Sequence, residues 1–281
     1  MQRSSRLSLV WILVCTCGAL SSSLAPARAQ SLPAQSSAVP LTPQRIEAFL
    51  LNASIGSTRN AGGGVTDSQR ATLTDGSLTH DAQIQAVDIS KAKFEAGRAS
   101  EVNFRDSYLY NIAAYRLSRL LGMDNVPVSV ERQVEGKSAA ITWWLDDVAM
   151  TEKERTAKRT MGPQPVRTSQ QLQMMQVFDE LIQNKDRNGG NIVWTRDWKM
   201  WLIDHTRAFR TGKELLKPDD LKRCDAMFLQ QLRALTPAAV EQATGSVLSR
   251  LEREALLARR DLLVKRYQQR IAQFGESNVL F

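Results

Sequence analysis

Asn184-Lys185-Asp186-Arg187-Asn188-Gly189-Gly190-Asn191, then Ile192-Val193-Trp194, Trp201-Leu202-Ile203 and Asp204-His205-Thr206, is the stretch whose reading decides the fold. Upstream, Phe178, Leu181 and Ile182 recur at helical spacing, so a helix runs into a polar, glycine-containing loop. Two apolar runs after it read as the arms of a hairpin, and Asp204 follows the second arm directly. Taken singly, an aspartate in a loop serves a turn and one after a strand caps a helix. Taken together, Asp186 and Asn191 in a D-x-x-x-x-N spacing with Asp204 beyond a hairpin suit phosphoryl transfer. That chemistry needs a carboxylate to orient the attacking hydroxyl and hard oxygen donors to hold magnesium against phosphates. Asp186 answers the first need; the carboxamide of Asn191 and the carboxylate of Asp204 answer the second.

Working outward, Thr42-Pro43 opens a helix through Ile46, Phe49, Leu50 and Leu51. Ala53–Ser57, Gln69–Thr74 and His80–Asp88 read as three strands, with Gly62-Gly63-Gly64 in the first turn and Asp75-Gly76 in the second. A helix is expected from Phe104 to Leu121, stopped by Gly122. Val126–Gln133 and Ser138–Leu145 form a hairpin around Glu135-Gly136, so the first half reads β-β-β-α-β-β. Thr151–Gln164 is charged and lacks an apolar period, which reads as a connector. From Ser169 the chain is mainly helical apart from the island Ile192–Ile203, and Pro237–Phe274 supplies one or two amphipathic helices.

The loop Asn184–Asn191 followed by Ile203-Asp204-His205 resembles the catalytic and metal-binding loops of atypical kinases: HipA-type kinases, phosphatidylinositol 3- and 4-kinases, and secretory-pathway protein kinases. The resemblance rests on motif and element order over roughly residues 53–209. It implies an α+β, bilobal protein-kinase-like fold with a sheet-rich N-lobe over 42–148, a connector over 149–168 and a helical C-lobe over 169–281. It further implies Asp186 as the catalytic aspartate, Asn191 and Asp204 as metal ligands, and ATP with Mg2+ as cofactors. Gly62, Gly63 and Gly64 fall where such kinases place the phosphate-covering turn, and Trp143–Asp147 where the adenine-contacting hinge belongs.

One departure matters. These kinases hold the phosphates with a lysine on the third strand, paired to a helix glutamate. Here the corresponding residues are Gln85 and Asn111, which can hydrogen-bond a phosphate but bring no ammonium charge. Lys91 and Lys93 substitute for the lysine only under another strand register. The expectation is therefore a kinase-like phosphotransferase with an unknown acceptor, or a pseudokinase that keeps the fold to bind a nucleotide or a partner.

Composition narrows the remaining classes. Arg3 and Arg6, the apolar run Leu7–Leu20 and the small-residue site Ala27-Arg28-Ala29 have the layout of a cleavable export signal over residues 1–29. A Ser-, Ala- and Pro-containing lead-in over 30–41 follows. The run is too short to span a bilayer and none like it recurs, so an exported, secreted or periplasmic chain without stable membrane insertion is expected. The net charge of +8 falls to +5 without Arg3, Arg6 and Arg28, and no basic stripe interleaved with aromatics occurs, so nucleic acid is not an expected partner. Two of the 3 cysteines lie in the leader, leaving Cys224 without a disulfide partner. Two histidines far apart cannot assemble a zinc site, and no G-x-S-x-G elbow is present.

Overall fold

The computed structural model describes residues 41–61, 68–96 and 99–281; the expected export signal, the lead-in up to residue 40 and Gly62–Gly64 lie outside the described residues. Helix α1 (Pro43–Asn52) is capped by the Thr42 hydroxyl, which accepts from the Arg45 amide, with Pro43 in the first turn. Strands β1 (Ser54–Asn60), β2 (Gln69–Thr74) and β3 (Thr79–Gln85) follow. With β6 (Ser129–Val134) and β7 (Lys137–Trp143) they make an antiparallel sheet in the order β1-β2-β3-β7-β6. Ala71 and Leu73 on β2 and Ala82 and Ile84 on β3 are buried with the period of two of a strand, while β7 buries three residues in a row, Ala139, Ala140 and Ile141. Helix α2 (Leu109–Leu120) covers that sheet with Ile112, Ala113, Ala114 and Leu117.

The expected helix start at Phe104 is corrected. Residues 88–107 form a two-stranded arm, β4 (Asp88–Ala96) paired with β5 (Ala99–Ser107), and α2 begins only at Leu109. Most described residues of β4 are exposed, so the arm lacks the one-sided apolar alternation by which a strand declares itself. The arm is rooted at the lobe junction by two backbone bonds, Tyr108 N to Val87 O (2.7 Å) and Ser107 N to Thr206 O (2.9 Å).

The region read as a connector also carries structure. Strand β8 (Val148–Thr151) leads into α3 (Glu152–Ala157), which opens with a capping box between Thr151 and Glu154. β8 pairs with β9 (Ile192–Thr195), itself hairpinned to β10 (Met200–Leu202), so the link between the lobes is a strand of the sheet that supports the loops after it. A six-residue helix is too short to show an apolar period, which is why it reads as coil. The lower lobe is helical: α4 (Pro165–Ile182), α5 (Ala226–Ala234), α6 (Pro237–Thr244), α7 (Arg250–Phe274) and α8 (Glu276–Val279). Cys224 is buried there, and burial pushes its thiol up to about 12.

Glu152 joins α3 to β9. Its carboxylate accepts from Arg155 Nε (2.6 Å) and Nη2 (2.7 Å) and from Nε1 of the fully buried Trp194 (2.8 Å). Burial raises its proton affinity, but the bonds from Arg155 and Trp194 and the Arg155 charge outweigh burial and hold the carboxyl below its ordinary 4.5. A depressed carboxyl stabilises the fold above the unfolded value and loses that contribution as pH falls through the folded one. The stability gap between wild type and Glu152→Gln, from urea denaturation at several pH values, should be full at neutral pH and narrow below 4.5.

Candidate functional site

Helix α4 ends because Gln183 adopts φ 49°, ψ 54°, a left-handed cap whose amide closes on Glu180 O, and the chain turns into the loop 184–191. Inside that loop the Asn184 side chain accepts from the Asp186 amide (3.1 Å). Asn191 Nδ2 donates to the Asp186 carbonyl (3.2 Å), which leaves the Asn191 carboxamide oxygen as the atom able to meet a cation. Gly189 has a steric reason: a Cβ there would lie 2.9 Å from the Lys153 backbone nitrogen, whose N–H donates to the Gly189 carbonyl (3.0 Å).

Arg187 locks the two ends of the site together. Its guanidinium donates to the Asp179 carboxylate on α4 (Nε to Oδ2, 2.9 Å) and to the carbonyls of Asn191 (2.7 Å) and Ile203 (2.7 Å). Both side chains of this pair are largely buried, at 8% and 12% exposed. Ile203 N in turn donates to Asn191 O (3.1 Å), so the residue before Asp204 is hydrogen-bonded to the far end of the loop.

Asp204 sits at φ 53°, a left-handed conformation rare for residues with a side chain and concentrated at functional sites. Burial pushes its carboxyl up; the Thr206 hydroxyl bond (3.1 Å) acts against burial, while the negative charges of Asp106 and Asp186 add to it. Asp186 and Asp204 are therefore close enough to repel each other, and Asp106, at the end of β5, joins them. Asp106 Oδ1 is buried without a hydrogen-bond partner. A buried, unpartnered carboxylate oxygen beside two further acids suits a cation site. Among the described residues no three His, Cys, Asp or Glu side chains are gathered as a ready-made cage. Magnesium asks for less: it takes one or two protein oxygens and completes its shell with water and phosphate. The donor set here fits that demand.

Gln85 and Asn111 are brought together. Asn111 Nδ2 donates to Gln85 Oε1 (2.7 Å), and Asn111 Oδ1 accepts from the His205 amide (2.8 Å). The carboxamide of Asn111 thus bridges β3 and the residue after Asp204. Lys91 and Lys93 do not take the lysine's place: both are exposed on β4, Lys91 over the Phe94 ring and Lys93 paired with Glu95. His205 turns inward, its ring edge-on to Phe178, and burial together with the Arg187 charge keeps it neutral. Gly62–Gly64 lie outside the described residues. Asp106 is the residue missed from sequence, because reading a helix from Phe104 buried it in a first turn. The signal in the sequence was Gly97, a residue type that favours turns, between two strand-length runs.

No protein-family model matches the sequence, and no curated protein does. Solved structures do. A hydra Fam20 structure with sugar aligns at a TM-score of 0.64 and 15% identity over 85% of this chain and 91% of that one. The Golgi casein kinase with Mn/ADP bound aligns at 0.62 and 14% identity over 85% and 78%. The Helicobacter pylori proinflammatory kinase CtkA aligns at 0.54 and 11% identity over 81% and 99%. At these identities the likeness is one of fold, and that fold is an α+β, bilobal, kinase-like one.

Proposed function

We propose that this kinase-like chain is an exported, ATP- and magnesium-dependent phosphotransferase, with Asp186 orienting the acceptor hydroxyl and Asn191 and Asp204 holding the metal. The observation that carries the reading is the Asp106 carboxylate oxygen buried without a partner, together with the repulsion of Asp204 by Asp106 and by Asp186. Such an arrangement is costly unless a cation relieves it. The bound metal would neutralise charge on the phosphates. Asp106 joins the set as a further oxygen donor. Gln85, Asn111 and the turn Gly62–Gly64 are assigned to the phosphate region, and export follows from the signal layout of residues 1–29. The Mn/ADP bound to the Golgi casein kinase supports nucleotide and divalent metal as the ligand class.

Thermal denaturation with ATP and magnesium, together and separately, tests this. The combination should raise stability by about 2.7 kcal/mol at ligand a hundredfold above its dissociation constant. Neither the combination nor ATP alone shifting the melt would end the reading. Phosphate transfer lost in Asp186→Ala separates catalysis from binding.

A second reading, a pseudokinase that binds nucleotide or a partner without turnover, is favoured by the neutral Gln85–Asn111 pair. The pair also supplies its own test. Gln85→Lys alone places an ammonium at a buried position beside the neutral Asn111, and Asn111→Glu alone adds a carboxylate next to the residue that follows Asp204. The double variant Gln85→Lys/Asn111→Glu restores a charged pair, and isothermal titration should find ATP·Mg bound on the order of tenfold more tightly than in wild type, since bonds to charged groups add about 1.5–3 kcal/mol. Equal affinity in the two would mean that Gln85 does not face the phosphates.

A further inference from the structure

Beyond the nucleotide cleft, the segment just after Asp204 carries cations that the proposed reaction does not use. Arg207 Nη2 and Arg210 Nη2 both donate to the carboxylate of Glu101 on β5, and Lys185 Nζ stands 4.0 Å from the same group. Three cations share one carboxylate. Arg210 is 7% exposed at its side chain, and its Nη1 donates to the Arg105 carbonyl (3.1 Å). Arg207 lies over the Phe104 ring, 4.7 Å from its centroid.

The donors are not used up. Arg207 Nε and Arg105 Nε are both buried without an acceptor. Two nearby acids do little to fill the deficit: Glu252 accepts from the Tyr110 hydroxyl and the Ser249 amide, and Asp88 pairs with Arg105 (3.1 Å). A buried guanidinium N–H left without an acceptor is costly, and a planar fork with spare donors is what bidentate phosphate recognition uses. A phosphoryl group brings about two charges and three acceptor oxygens where Glu101 brings one charge and two oxygens.

We infer that Lys185, Arg207 and Arg210 form a phosphate-binding pocket whose resident occupant is Glu101. A dianionic phosphoryl group entering it displaces Glu101 and removes that carboxylate's ties between the β4–β5 arm and Arg207 and Arg210, leaving the Arg210–Arg105 carbonyl bond and the Arg207–Phe104 contact as the links that remain. Phosphate binding stands independently of the nucleotide reading; the regulatory sense, an arm more loosely tied beside residues 204–206, rests on it. The phosphoryl group is either free phosphate or one carried on a phosphorylated side chain.

The test is a thermal-denaturation titration of the full chain with sodium phosphate against sodium chloride at matched ionic strength, repeated with a phosphoserine-containing peptide and its unphosphorylated twin. Wild type should respond weakly. Glu101→Gln, with the competitor removed, should respond at about tenfold lower phosphate concentration. Arg207→Gln should lose the response; should that variant not fold, Lys185→Gln, at an exposed lysine, should weaken it. A peptide response at lower concentration than phosphate assigns the pocket to a phosphorylated side chain, and the reverse order to free phosphate. Asp204→Asn should lose the ATP·Mg shift and keep the phosphate shift, so the two ideas fail separately. Identical phosphate responses in wild type and Glu101→Gln, or a phosphate response lost in Asp204→Asn, would overturn the pocket.

Discussion

Asp204→Asn should lower phosphoryl transfer by on the order of 10^3-fold while leaving the ligand-free fold as stable as wild type or more so. The two halves of this expectation have one cause. The Asp204 carboxylate is half-buried, and the charges of Asp106 and Asp186 repel it, so the anion is held at a cost in the absence of a cation. Asparagine has the same shape and no charge, so the repulsion is relieved, and with it goes the strongest oxygen donor of the metal set. Urea denaturation without ligand and a transfer assay with ATP·Mg read the two halves separately. A variant that loses stability while keeping its ATP·Mg response would show that Asp204 serves the fold and not the metal.

The largest stability effect is expected at Arg187. Truncation to alanine removes the bonds to Asp179, Asn191 O and Ile203 O and leaves the largely buried Asp179 carboxylate with the Asn184 carboxamide (3.2 Å) but without its counter-charge. Breaking a largely buried pair by removing one partner costs about 3–5 kcal/mol, because the surviving charge has no compensation. Removing both partners, in Arg187→Met/Asp179→Leu, should cost less than Arg187→Ala alone. Chemical denaturation of both variants measures the difference. Arg187 binds both ends of the β9–β10 hairpin, so nucleotide binding in the single variant should weaken along with stability.

The lower half of the site was legible in sequence because its chemistry is local. Asp186 and Asn191 are five residues apart in one loop, and the hairpin that brings Asp204 back is signalled by apolar runs flanking polar turn residues. The Gln85–Asn111 pairing was legible because α2 and β3 each show their buried faces through periodicity. What escaped was the arm 88–107, and with it Asp106 and Glu101. Exposed residues dominate β4, so no alternation marks it, while Phe104 and Tyr108 extend the helical spacing of α2 backwards by chance. Helix α3 was lost for a different reason: its capping box, Thr151 with Glu154, is visible in the sequence, but six residues leave no room for a repeat.

The two hydrogen bonds joining the upper lobe to residues 204–206, Ser107 N to Thr206 O and His205 N to Asn111 Oδ1, limit how far that segment can move. Swinging residues 204–206 outward must break both, at about 0.5–1.5 kcal/mol each, so these two bonds alone hold the swung-out population to about 15 per cent at the weak end and below about one per cent at the strong end. The loop therefore travels as cargo of helix α2, and whatever tilts that helix also sets the height of Asp204 in the cleft.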